Sequence, residues 1–84
     1  MARVRLEYED EQLRMLAEHA LAADPLVPVG RLAVASERGV VVLAGTVTNE
    51  REQTQGVDTV RQAFEVARVP YDRVVDELVV SPQP

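Results

Sequence analysis

The chain has 84 residues, no cysteine, 46% hydrophobic and 27% charged side chains, and a formal net charge of -5. That length allows one small domain stabilised by packing or association without a disulfide framework, and the composition excludes a disordered polar chain. The negative balance, with all nine cations arginine, argues against a general affinity for nucleic acid or anionic lipid, either of which needs a cationic surface.

Taken in order, VRLEY places Val4, Leu6 and Tyr8 on one side and Arg5 and Glu7 on the other, a period of two that predicts an edge strand or extended arm within residues 1–9. From Asp10 the period becomes helical: Leu13, Leu16, Ala17, Ala20 and Leu21 share one stripe. Asp10 is the expected N-cap, with Glu9 and Glu11 placed where the helix dipole favours negative charge. Pro25 disfavours helical backbone at Asp24 and ends the helix there. PLVPVG reads as a connection that turns Leu26 or Val27 inward.

RLAVAS and VVVLAGTV read as hairpin strands linked by the three residues ERG, with Gly39 left-handed at the last loop position. Thr48 or Asn49 caps a second helix, and Asn49 with Glu52 has the spacing of a capping box. Gly56, Val57, Val60, Ala63, Phe64 and Ala67 form its buried stripe, with Asp58–Arg61 and Arg61–Glu65 as expected surface pairs. Pro70 closes the next connection, and RVVDELVVS is a last strand.

The order predicts an α+β two-layer sandwich: two amphipathic helices on one face of a small mixed three-stranded sheet, with room for a short extra N-terminal strand. The domain spans residues 10–81, and residues 82–84 form a tail. If Val41, Leu43 and Val47 face the helices, so does Gly45, whose missing side chain lets a helix or backbone come close, Gly56 being the suggested opposing surface. Ala33, Ala35, Val40, Val42, Val75 and Val79 then point away from the helices, interrupted mainly by Arg73 and Glu77. An antiparallel sheet with one face in water should be polar there; a contiguous apolar patch implies a covering arm, subunit or membrane.

No catalytic constellation is legible. His19, the lone histidine, falls on the polar side of the first helix with no cysteine or obvious serine partner. Glu7, Glu9, Asp10 and Glu11 lack the spacing and central glycine of a calcium loop, and GTVTNE lacks the lysine and glycines of a phosphate loop. Phe64 belongs to a helix core, so no basic and aromatic strand face is available to stack bases. No catalytic, cofactor-binding or metal-binding residue is assigned, no cofactor is expected, and nucleic acid is not an expected partner. The start lacks the apolar run of a signal peptide; the expected place is the cytoplasm, or the periplasm if the chain is a fragment of a longer precursor.

The run from Asp10 to Val80 resembles the BON domain, named for bacterial OsmY and nodulation proteins. The likeness rests on Ala20 to Pro25, on Leu32 and Val34, on Gly39, and on Val41, Leu43, Gly45 and Val47 in the form V-x-L-x-G-x-V. Members usually carry a glycine and a valine before the last strand, where this chain has Pro70 and Tyr71. The family is associated with attachment to phospholipid membranes or envelope surfaces, often in osmotic or envelope stress, and the resemblance implies a non-catalytic lipid-interacting or ligand-sensing module. Arg31 and Arg38, at the two ends of the first hairpin strand, are then candidate headgroup contacts beside Val40, Val42, Val75 and Val79. The alternative is a homo-oligomer, most simply a two-fold dimer, joined through the valine face or the VRLEY arm.

Overall fold

The computed structural model describes residues 8–81; the predicted strand at Val4 and Leu6 and the tail at 82–84 lie outside them. The elements are α1 (Asp10–Ala23), a 3-10 turn (Val29–Arg31), β1 (Leu32–Glu37), β2 (Val40–Val47), α2 (Glu50–Ala67) and β3 (Arg73–Val80). The sheet order is β1-β2-β3, with β1 antiparallel and β3 parallel to β2. A parallel neighbour needs a crossover, and α2 supplies it. Both helices pack on the same side, giving the expected α+β two-layer sandwich.

One core joins the layers. Leu13, Ala17 and Leu21 from α1 meet Val57, Val60 and Phe64 from α2 over Val41, Leu43 and Val47 of β2, with Leu78 and Val27 completing it. Each fully buried Leu or Phe contributes about 1.5–3 kcal/mol of transfer free energy. Val27, rather than Leu26, is the residue turned inward: Val27 is 6% exposed and Leu26 57%. Ala67, placed on the α2 stripe by its spacing, is exposed, because the helix ends at that residue.

Asp10 does not cap its helix. It is the first residue of α1, and the N-cap is Glu9, whose side chain makes no capping bond. The Asp10 carboxylate instead accepts from Ser36 Oγ at 2.8 Å, Arg38 N at 2.8 Å and Gly39 N at 2.9 Å. These donors hold it below the usual carboxylate range, the Gly39 amide most of all. At the other end of α1, Asp24 has extended backbone, as Pro25 requires. Its side chain accepts from Gln55 Nε2 at 2.7 Å and Thr59 Oγ1 at 2.6 Å, binding α1 to α2.

The hairpin link is shorter than expected. Glu37 pairs with Val40, leaving a two-residue turn in which Arg38 (φ 52) and Gly39 (φ 83) are both left-handed. Two successive positive φ angles are the signature of a type I′ turn, whose twist matches the flanking strands. Gly39 has a second reason to lack a side chain: a Cβ there would lie 2.6 Å from the Tyr8 ring. Helix α2 begins as its sequence suggests, with Asn49 Oδ1 accepting from Glu52 N at 2.8 Å. Glu52 returns its carboxylate to Thr48 N at 2.9 Å, one residue before the cap.

Gly45 faces the core side at φ 130, but the group that comes close is not α2. A Cβ on Gly45 would strike the Arg31 carbonyl oxygen and lie 3.0 Å from Leu32 Cα, so the glycine admits the backbone that leads into β1. A Cβ on Gly56 would instead meet the Leu78 and Leu21 side chains at ordinary contact distance, 3.8 and 4.0 Å. Among the described residues the ion pairs join Arg14 to Glu11 and Glu18. The expected pairs of Arg61 with Asp58 and Glu65 do not form, which is unsurprising for exposed side chains whose pairing gains little in water.

Candidate interaction surface

The ladder registers set out the outer sheet face row by row. Val40 lies between Glu37 and Arg73, Val42 between Ala35 and Val75, and Ala44 between Ala33 and Glu77, while Thr46 adjoins Val79. Alternation puts these residues opposite the core-facing Val34, Val41, Leu43 and Leu78. Along β1 exposure alternates strictly, with Ala33, Ala35 and Glu37 exposed; on β3, Val79 is 61% exposed. The middle of the face is therefore alanine and valine, and its charges sit on the two edge strands. None of the helices described covers it, since α1 and α2 both lie on the other side.

Of the residues singled out in the sequence, Val40, Val42, Val75 and Val79 share this face. Arg31 and Arg38 do not converge with each other. They flank β1 at opposite ends, about 23 Å apart for seven residues of extended chain. Arg31 ends the 3-10 turn, and its positive charge adds to the Thr48 hydrogen bonding that lowers the Glu52 pKa. Arg38 occupies the hairpin turn beside a shallow hollow lined by Ala35, Glu37, Val40 and Val42.

The helix side offers a second shallow apolar groove, between Leu16 and Ala20 of α1 and Ala63, Val66 and Ala67 of α2. His19 is exposed on its rim. Among the described residues, no three His, Cys, Asp or Glu side chains converge as a metal site, and no helix is long and apolar enough to cross a membrane. The carboxylates that hydrogen bonding shifts, Asp10, Asp24 and Glu52, each serve a turn or a helix end, so their perturbation is structural.

Pro70 and Tyr71, the departure noted before β3, acquire a role that sequence reasoning missed. The Tyr71 ring lies 4.8 Å from that of Phe64, tilted by 48°, so the loop closes the end of the core with an aromatic pair. The sequence signal was the presence of two of its three aromatic residues seven positions apart, across a helix end.

A search of curated proteins found no match to the chain. The family model described as BON domain matches residues 9–82, nearly the whole length. That family consists generally of non-enzymatic binding modules, and its span coincides with the sandwich from α1 through β3. The chain belongs to the BON domain family.

Proposed function

We propose that the protein is a non-catalytic docking module that makes its contact through the outer sheet face, with a protein surface as occupant. The observation that carries this reading is the continuous alanine and valine face left uncovered by α1 and α2. Such a face is flat and built of short side chains, which suits close packing against another sheet or helix. A bilayer surface is better gripped by protruding aromatic or leucine side chains with cations around them. Here the face carries none of those anchors, its edge charges are of both signs, and the net charge is -5.

The second reading is attachment to phospholipid, in the osmotic or envelope setting that the family resemblance implies. It is favoured by the apolar area and by Arg31 and Arg38 at its border. Light scattering of the 84-residue chain, paired with vesicle flotation, separates the two. If a protein occupant is right, vesicles of phosphatidylcholine and phosphatidylglycerol leave the protein unbound, and Val42→Glu removes association in solution while preserving the circular dichroism spectrum. Flotation that Val42→Glu abolishes transfers the same face to the lipid reading. Indifference of both assays to Val42→Glu refutes the face as the binding surface.

A further inference from the structure

The outer face is self-complementary in two respects that share one symmetry. Glu37 on β1 and Arg73 on β3 occupy the same row, on either side of Val40. Neither forms an ion pair among the described residues. The side chains are also graded across the sheet: β1 contributes the small Ala33 and Ala35, and β3 the larger Val75 and Val79. A shallow hollow results on the β1 side, lined by Ala35, Glu37, Arg38, Val40 and Val42.

We infer that the occupant of the outer face is a second copy of this chain, packed sheet on sheet about a two-fold axis that runs along β2. This deepens the proposed docking function and rests on it. Rotation about that axis keeps each row at its own level and exchanges left for right, so β1 of one copy covers β3 of the other. Val40 and Val42 meet their own counterparts. Glu37 comes over Arg73 of the second copy, and Ala35 over its Val75, twice by symmetry. The hollow on β1 is thus filled by the bulkier side chains of β3, and Glu37 lies between Arg38 of its own chain and the incoming Arg73. Glu77 falls opposite Ala33 at the rim, where its carboxylate keeps water.

Aligned sheets cross at about 30°, a displacement that the length of arginine bridges at the end of the sheet. The alternative two-fold, perpendicular to the strands, lays β1 on β1 and β3 on β3; centred on the Val42 row it brings Arg73 over Glu77 of the second copy but leaves Glu37 over Ala33. It leaves a gap under β1 and crowds β3, so size selects the axis along β2, and the pairing of Glu37 tells the two arrangements apart.

The footprint sets the strength. Strands of six, eight and eight residues cover roughly 350 Å² per copy at the usual rise and spacing, below a standard stable interface. The dimer is therefore reversible, dissociating in the range of roughly 1 µM to 1 mM.

Sedimentation of the 84-residue chain across that range tests the inference. Wild type should pass from monomer to dimer. Glu37→Arg and Arg73→Glu should each weaken dimerisation by about tenfold or more, because each reversal replaces two attractions by two repulsions. The combined Glu37→Arg, Arg73→Glu chain should recover dimerisation to within about threefold of wild type. Both positions are exposed, so unchanged circular dichroism serves as the folding control. A monomer throughout the range overturns the second copy as occupant. If that monomer floats with vesicles through Val42, the docking face itself survives. A dimer whose charge reversals do not compensate, or one that persists in Val42→Glu, overturns the geometry.

Discussion

Replacing Gly45 with alanine puts a methyl group where the Arg31 carbonyl oxygen already sits, 3.0 Å from Leu32 Cα and 3.1 Å from the Arg31 carbonyl carbon. All three obstacles are backbone, so no side-chain rotation relieves them. The residue also has φ 130, a conformation in which an L side chain costs about 1–3 kcal/mol. Reduced freedom of the unfolded chain returns about 0.4–1 kcal/mol. Adding displacement of the strand that leads into β1, the net loss is about 3 kcal/mol. For 84 residues, typical stability is roughly 4–13 kcal/mol and the unfolding entropy about 0.18 kcal/mol per kelvin, so the midpoint should fall by about 17 °C. Thermal melts followed by circular dichroism measure this, with Gly30→Ala as control. A Cβ on Gly30 meets nothing within 4 Å, and that variant should melt within about 3 °C of wild type. A Gly45→Ala midpoint as close to wild type as the control's would mean that the Arg31 backbone yields to the methyl group at no cost.

Two further outcomes follow from local geometry. Arg68 ends α2 in the left-handed region, at φ 56, with its amide donating to Glu65 O and Phe64 O. Arg68→Gly should stabilise by about 0.5–1 kcal/mol, raising the melting midpoint by about 3–6 °C; an unchanged or lowered midpoint contradicts the cap. The Asp10 carboxylate, depressed by the Gly39, Ser36 and Arg38 donors, contributes stability that is present above its unfolded pKa and lost as pH falls through the folded value. Melting midpoints should drop below about pH 4, and Asp10→Asn should show a shallower acid limb with a lower midpoint at neutral pH. Equal acid limbs in the two proteins count against the carboxylate's bonds to the turn.

What the sequence disclosed is local or periodic. Pro25, Asn49 with Glu52, and the helical stripes act within a few residues, and each appears where its chemistry requires. The pleat likewise sorts Val40, Val42, Val75 and Val79 from Val41, Leu43 and Val47 by parity. Asp10 escaped because its competing partners lie 26 to 29 residues away. A helix start and a hairpin turn offer the same carboxylate equivalent amides, and only the tertiary arrangement decides between them. Gly45 shows the same boundary: parity gives its face, while the atom it makes room for belongs to a 3-10 turn that no periodicity announces. The candidate surface was legible as a set of residues, whereas its row-by-row pairing of Glu37 with Val40 and Arg73 depended on register.

The bonds from Asp10 to the hairpin turn also govern how the molecule opens. A tight turn at a hairpin tip ordinarily trades its amide protons with water freely, being the first part of the hairpin to come loose. Here the Arg38 and Gly39 amides are held by a carboxylate on α1, and the Tyr8 ring lies over Gly39. Their protons become accessible when the start of the helix lifts, so the tip reports on the docking of α1 rather than on the hairpin's own fraying. The far end of α1 is held to α2 through Asp24. The first helix therefore acts as a strap fastened at both ends, one to each half of the chain.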